Sequence, residues 1–258
     1  MTASFPLAGA VASRLEHVAR TGSTNADLRG QAGDAEAWPH LSVLITHDQA
    51  AGRGRLDRTW VAPAGSALAI SVLIRHLPTA PTARGWIPLA AGAAMAAAVA
   101  EQLPGHDVAV KWPNDVLVDG FKICGILAEA TTGAVVVGAG VNTRMTAEQL
   151  PVPTATSFAA LDADVDEDRL LAAYLTTFDG YLSGLVEAGD ALASGLHEAV
   201  AARCATLGQT VRVSMPGDRV LEGVASRLDR EGRLVVVADG AEHAISAGDV
   251  VHVRPAGT

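Results

Sequence analysis

Two glycines alternate with two arginines at Gly52-Arg53-Gly54-Arg55, and Leu56-Asp57-Arg58-Thr59-Trp60 follows. Glycine lets backbone approach a ligand closely, and guanidinium groups meet phosphate oxygens in paired hydrogen bonds. The run is not a Walker loop, because no Gly-Lys-Ser/Thr follows it. A flexible, solvated basic loop would carry the same residues. A second polar group, Lys111-Trp112-Pro113-Asn114-Asp115, closes a predicted strand. A lysine on a rigid strand end is well placed to face a carboxylate or an α-phosphate. A polar hairpin around a proline turn is the plain alternative. The third group is Lys122-Ile123-Cys124-Gly125-Ile126-Leu127-Ala128-Glu129, a strand whose interior glycine marks a bulge or the close approach of another group. The fourth is Val137-Gly138-Ala139-Gly140-Val141-Asn142. A dinucleotide fold would need a following helix and a G-x-G-x-x-G pattern there, and neither is present.

The periodicity of the flanking sequence shows what must carry these groups. Val11, Leu15 and Val18 share a helical face, so a short amphipathic helix is expected there. Ser23, Thr24 and Asn25 are capping residues and open a second helix. Residues 41–49 and 67–74 read as strands, with a loop between them. The Ala-rich run over residues 87–100 is too short to span a bilayer and reads as a helix buried on most sides. Short β runs separated by Asp119-Gly120 and Thr132-Gly133 then form an antiparallel meander over residues 108–142. From Asp166 the period is helical, through Leu170, Leu171, Tyr174, Leu175, Phe178, Tyr181, Leu182 and Leu185. A further helix is expected over residues 191–204. Five short strands follow, with the spacing of a small β-barrel. The fold class is therefore α+β. The expected domains are residues 1–206, carrying the chemistry, and residues 207–258.

The 258 residues are enough for one or two domains, and an apolar fraction of 49% is that of a globular chain. A net charge of −9 argues against general affinity for nucleic acid or anionic lipid. Cys124 and Cys204 lie far apart and form no C-x-x-C pair. With no signal peptide in view, the expected location is the reducing cytoplasm.

Taken together, in this order and spacing, the groups resemble the biotin–protein ligase family. The resemblance is carried by Ser23-Thr24-Asn25, Gln49 with GRGRLDRTW, KWPNDVLV, KICGILAE, VGAGVN, and ATSF at residues 155–158. It implies a catalytic domain like the class II aminoacyl-tRNA synthetases, with a mixed, largely antiparallel sheet, followed by an SH3-like domain. The implied reaction joins biotin and ATP, with Mg²⁺ held mainly by the ATP phosphates, into biotinyl-5′-AMP. The biotinyl group then passes to a lysine of the biotin carboxyl carrier domain of acetyl-CoA or acyl-CoA carboxylase.

By position, Ser23, Thr24, Asn25 and Gln49 match residues around the biotin ureido ring. Gly52, Arg53, Gly54 and Arg55 match the loop that folds over the ligand, and Gly125 matches backbone lining the pocket. Lys111 matches the lysine between the biotin carboxyl and the α-phosphate, with Arg53 its catalytic companion. Trp60, Asn114 and Asn142 match the adenylate side, together with Arg53, Arg55 and Lys111. The chain departs from the family at Asp57, where the loop usually has glycine. Asp57 is expected to pair with Arg55 or Arg58. Cys124 stands where a small apolar residue is usual and is given no catalytic role.

Three rival readings share part of this pattern. A lipoate–protein ligase shares the adenylate logic, but GRGR followed by KWPND favours biotin. A biotin-sensing repressor needs a helix-turn-helix, for which the 22 residues before Ser23 leave no room. A passive biotin-binding protein has no need of arginines that face phosphate. The expectation is a monomer or weak homodimer that touches neither nucleic acid nor membrane.

Overall fold

The structure, a computed structural model, describes residues 4–56, 58–215, 219–246 and 248–253. The N-terminal pattern resolves differently from its helical spacing. A short helix, α1 (Pro6–Val11), is followed by a strand, β1 (Arg14–His17). Pro6 at the first helical position starts α1 early. β1 pairs in parallel with β2 (Ser42–Thr46), so ladder hydrogen bonds override the helical spacing of Val11, Leu15 and Val18. Helix α2 (Thr24–Gln31) begins where the capping residues place it, with Ser23 Oγ accepting from the Ala26 N–H.

The loop over residues 50–66 is not wholly irregular. It contains a two-rung ladder between β3 (Gly52–Arg53) and β4 (Thr59–Trp60). Strand β5 (Ala67–Ile74) is fully buried. Helix α3 (Trp86–Gln102) buries twelve of its 17 residues and is a core helix, as its small side chains require. The meander then appears as β6 (Val108–Lys111), β7 (Asp115–Val118), β8 (Phe121–Thr131) and β9 (Ala134–Asn142). Asp119 and Gly120 both take positive φ, the backbone of a tight hairpin turn. The seven long strands form one mixed sheet in the order β1-β2-β5-β9-β8-β7-β6, antiparallel except for β1 and β2.

Helix α4 (Glu167–Ala188), capped by Asp166, lays its apolar face beside α3. The next helix, α5 (Leu196–Ala201), is shorter than expected. Asp190 Oδ1 accepts from the N–H groups of Leu192 and Ala193, and Gly195 takes φ 77°, so a turn occupies the segment that residue spacing assigns to helix. The last five strands are β10 (Thr210–Met215), β11 (Arg219–Leu228), β12 (Leu234–Ala238), β13 (Ala241–Ile245) and β14 (Asp249–His252). They form an antiparallel sheet in the order β13-β12-β11-β10-β14.

This second sheet shares one continuous core with the first, through Val211, Val213, Ala225 and Val250. Two indoles add polar ties. Trp86 Nε1 donates to Arg230 O at 2.8 Å, and Trp112 Nε1 to Gly232 O at 3.0 Å. Asp229, whose carboxylate accepts from the N–H groups of Glu231 and Arg233, shapes the hairpin tip that both tryptophans grip.

Candidate active site

Strands β5, β9 and β8 run side by side, and their alternation separates two faces. Leu68, Ile70, Val72, Cys124, Ile126, Val137, Ala139 and Val141 enter the main core. The opposite face carries Ala69, Ser71, Gly125, Leu127, Glu129, Gly138 and Gly140. Small residues on that face leave a cavity of about 330 Å³, roofed by the start of α2, the arginine loop and β14.

The two glycines of VGAGVN are close-approach positions. A Cβ at Gly138 would lie 2.4 Å from Asn25 Oδ1, and one at Gly140 would lie 2.7 Å from the Trp60 indole. Each thus seats one of the residues assigned to the site. A Cβ at Gly52 would come within 2.5 Å of both Gln49 Nε2 and Trp60 O. One at Gly125 would meet Lys122 Nζ at 3.1 Å.

Ser23, Thr24, Asn25, Gln49, Arg53, Gly54, Arg55, Trp60, Lys111, Asn114 and Gly125 all line the cavity. Gly52 and Asn142 do not. Gly52 is buried in β3 against Gln49 and Trp60, and the Asn142 side chain is committed elsewhere, donating to Thr156 O at 2.9 Å. The ATSF segment is thus a brace: Thr156 N also donates to Lys122 O, and Ser157 Oγ to Met145 O. The expected pairing of Asp57 lies outside the described residues. Arg55 and Arg58 find partners in the second sheet, the Gly248 carbonyl and the Asp249 carboxylate respectively.

The polar groups are held in defined orientations. Gln49 Oε1 accepts from both the N–H and the hydroxyl of Thr24, at 2.9 and 3.0 Å. Lys111 ends β6. The turn after it is fixed by Asn114, whose N–H donates to Lys111 O and whose Nδ2 donates to Ile126 O. The Trp112–Pro113 bond in this turn is cis. Trp112 N donates to the buried Thr206 Oγ1, which also lies 3.2 Å from His252 Nε2. Burial, and secondarily the charge of Lys111, lowers the pKa of His252, so the imidazole is neutral beside the ammonium at neutral pH. Among the described residues, Lys111 has no carboxylate within ion-pair distance and faces the cavity as an unneutralised cation.

Arg55 spans the mouth. Its Nη1 donates to Asn114 Oδ1 at 2.9 Å and its Nη2 to Gly248 O at 3.2 Å. Burial lowers its pKa, yet a guanidinium stays charged. Cys124 is wholly buried and its thiol is pushed up to about 12, which leaves it without nucleophilic character. The arrangement brings the cations Lys111, Arg53 and Arg55 and the neutral hydrogen-bonding groups of Ser23, Thr24, Asn25 and Gln49 to one cavity. It can hold a ligand with a polar ring and an anionic tail, and bring a second anion against that tail.

Sequence reasoning passed over Ser71, Asp115, Lys122, Glu129 and Asp249 as site residues, and read Arg58 only as a partner of Asp57. Lys122, Asp115 and Glu129 lay inside the quoted motifs, and the Lys122–Asp115 ion pair of 2.6 Å stands at the cavity. Asp249 carried no signal, since only folding brings β14 to the arginine loop.

Comparison with known proteins agrees with this geometry. The model of the biotin/lipoate A/B protein ligase family matches residues 18–144, and that of the biotin protein ligase C-terminal domain matches residues 206–253. The chain is 39% identical over 250 residues to the biotin–[acetyl-CoA-carboxylase] ligase of Mycobacterium tuberculosis, covering 96% of this chain and 92% of that one. It is 32% identical over 245 residues to the corresponding ligase of Paracoccus denitrificans, covering 90% and 98%. In fold it matches the biotin protein ligase from Aquifex aeolicus solved with biotin and ATP, with a TM-score of 0.76 at 22% identity over 94% of this chain and 100% of that chain.

Proposed function

The chain belongs to the biotin protein ligase family, and we propose that it activates biotin with ATP and transfers the biotinyl group to a carrier-protein lysine. The observation that carries this reading is the unneutralised Lys111 in a cavity that is also lined by the neutral hydrogen-bonding groups of Ser23, Thr24, Asn25 and Gln49. A carboxylate has no viable leaving group and does not acylate an amine at neutral pH. Attack of the biotin carboxylate on the α-phosphorus of ATP supplies one, with pyrophosphate leaving. Both reactants are anionic, so cations must offset their repulsion and the charge that builds in the transition state. Lys111, Arg53 and Arg55 are assigned that work, with Trp60 and Asn114 on the adenylate side. Ser23, Thr24, Asn25 and Gln49 are assigned the biotin ring.

The carboxylates that line the cavity, Asp115 and Asp249, are engaged by Lys122 and Arg58. Magnesium is therefore assigned to the nucleotide's own phosphates rather than to a resident protein site. We divide the chain into a catalytic unit of residues 1–206, of the class II synthetase type, and an SH3-like unit of residues 207–258. The carrier domain of a biotin-dependent carboxylase, in the cytoplasm, is the proposed acceptor.

The decisive measurement is exchange of labelled pyrophosphate into ATP. Exchange that needs biotin, and that equimolar lipoate does not support, is the expected result; exchange with lipoate alone would overturn the substrate. A second expectation concerns the glycine beneath Trp60. Gly140→Ala should displace the indole, because its Cβ meets the ring at 2.7 Å against a fixed strand. Overpacking of this kind costs about 1–3 kcal/mol, so the KM for ATP should rise by roughly tenfold or more while the circular dichroism spectrum is retained. An unchanged KM would remove Trp60 from the adenylate side.

A further inference from the structure

Glu129, on the cavity face of β8, is assigned no role above, yet it meets three side chains, two on α2 and one on β3. Its Oε2 accepts from Asn25 Nδ2 at 2.8 Å. Its Oε1 accepts from Arg29 Nη1 at 2.8 Å and lies 3.5 Å from Arg53 Nη2. An ionised carboxylate offers only acceptors, so the side it shows Asn25 must receive an N–H. Leu127 O, 3.3 Å from the same Nδ2, is an acceptor too. Both amide hydrogens of Asn25 therefore turn toward β8. Its Oδ1 is directed the other way, 2.6 Å from Ser71 Oγ and packed over Gly138. A carbonyl oxygen accepts two hydrogen bonds, and the single Ser71 hydroxyl hydrogen, which Thr24 Oγ1 at 2.8 Å also competes for, fills at most one of them. What Asn25 offers the cavity is one free acceptor site and no donor.

We propose that Glu129 is a positioning and specificity residue: by locking the Asn25 amide, it makes the pocket require an N–H donor on the ligand ring. The inference rests on the biotin-ligase reading and deepens it. A cyclic urea carries two ring N–H groups, whereas a dithiolane carries none. The family model that matches this chain covers biotin and lipoate ligases alike, so some feature of the pocket must separate the two rings. An acceptor left without a donor in a closed site provides that separation, and strongly, because a site built to hydrogen-bond its substrate rejects a partner that cannot.

The test is Glu129→Gln. Arg29, as a cation, will hold the glutamine oxygen, which leaves Nε2 facing Asn25 Nδ2. Asn25 must then rotate and present N–H groups to the ligand. The KM for biotin in pyrophosphate exchange should rise roughly 10–100-fold, while kcat and the KM for ATP stay within about threefold. The inhibition constant of lipoate, whose ring has no N–H to lose, should also stay within about threefold. In Arg29→Ala/Glu129→Gln only Arg53, 3.5 Å from this oxygen and beyond direct hydrogen-bond contact, still competes for it, so the glutamine can turn its oxygen back to Asn25, and the KM for biotin should recover most of the way to that of Arg29→Ala alone.

Wild-type protein without biotin-dependent exchange would sink the ligase reading itself. Wild-type exchange with an unchanged biotin KM in Glu129→Gln would overturn the role of Glu129. So would a loss that the double variant does not relieve, since charge or packing would then be at work instead of amide polarity. If Glu129→Gln gives no cooperative melt, the double variant read against Arg29→Ala carries the same decision.

Discussion

Lys111→Ala will lower biotin-dependent pyrophosphate exchange by roughly 10²–10³, the usual loss when one preorganised donor is removed from a developing charge. The protein will stay folded. Lys111 is half-buried, ends its strand and has no carboxylate partner among the described residues, so its removal leaves no orphaned charge. The turn that presents it is held independently. Trp112 donates through its main-chain N–H to Thr206 and through its indole to Gly232, and Asn114 bonds to Ile126 on β8. Lys111→Ala therefore removes a cation from a scaffold that keeps its shape. The loss should fall on kcat more than on the KM for biotin, because the ammonium gains most where the two anions meet in the transition state. The measurement is steady-state exchange with a thermal melt alongside. A variant with near-wild-type kcat and an intact melt would remove Lys111 from the reaction.

Much of the framework was legible because its patterns are local. The meander over residues 108–142 follows from alternation and from Asp-Gly and Thr-Gly turns, each a short-range signal. The α4 face was readable from period alone. The failures were tertiary. β1 exists because a parallel partner, β2, is available, which nothing within residues 11–18 announces. Asn142 stands in a matched motif, but its amide goes to Thr156 and not to the cavity. Glu129 was quoted within KICGILAE, yet its meaning needs Asn25 and Arg29, about a hundred positions earlier in the chain. The share of the second sheet in the site was the least legible, because Gly248 and Asp249 meet Arg55 and Arg58 only after both sheets have formed.

That meeting sets the expectation for Arg55→Gly. The adenylate is a mixed anhydride, reactive toward any amine, so acceptor specificity depends on holding it until the carrier lysine arrives. In this structure Arg55 crosses the cavity mouth with one nitrogen on Asn114 of the Lys111 turn and the other on Gly248 of the second sheet. It is the strap between the Lys111 turn and the segment that leads into β14. Glycine removes both bonds and adds backbone freedom, and both changes favour an open loop. A hydrogen bond from a charged donor contributes about 1.5–3 kcal/mol net of water, so losing the equivalent of one such bond should quicken adenylate release by roughly 10–100-fold. Lys111 and Arg53 remain, so the adenylate is still made. Arg55→Gly should then convert biotin and ATP into free biotinyl-AMP, and should label albumin lysines that the wild-type protein leaves untouched. Release is measured by rapid filtration of preformed adenylate, and labelling by streptavidin blot. Unchanged release with unlabelled albumin, while the carrier is still biotinylated, would move retention from Arg55 to the ion pair of Arg58 with Asp249. Arg58→Gly is the variant that would then show the leak.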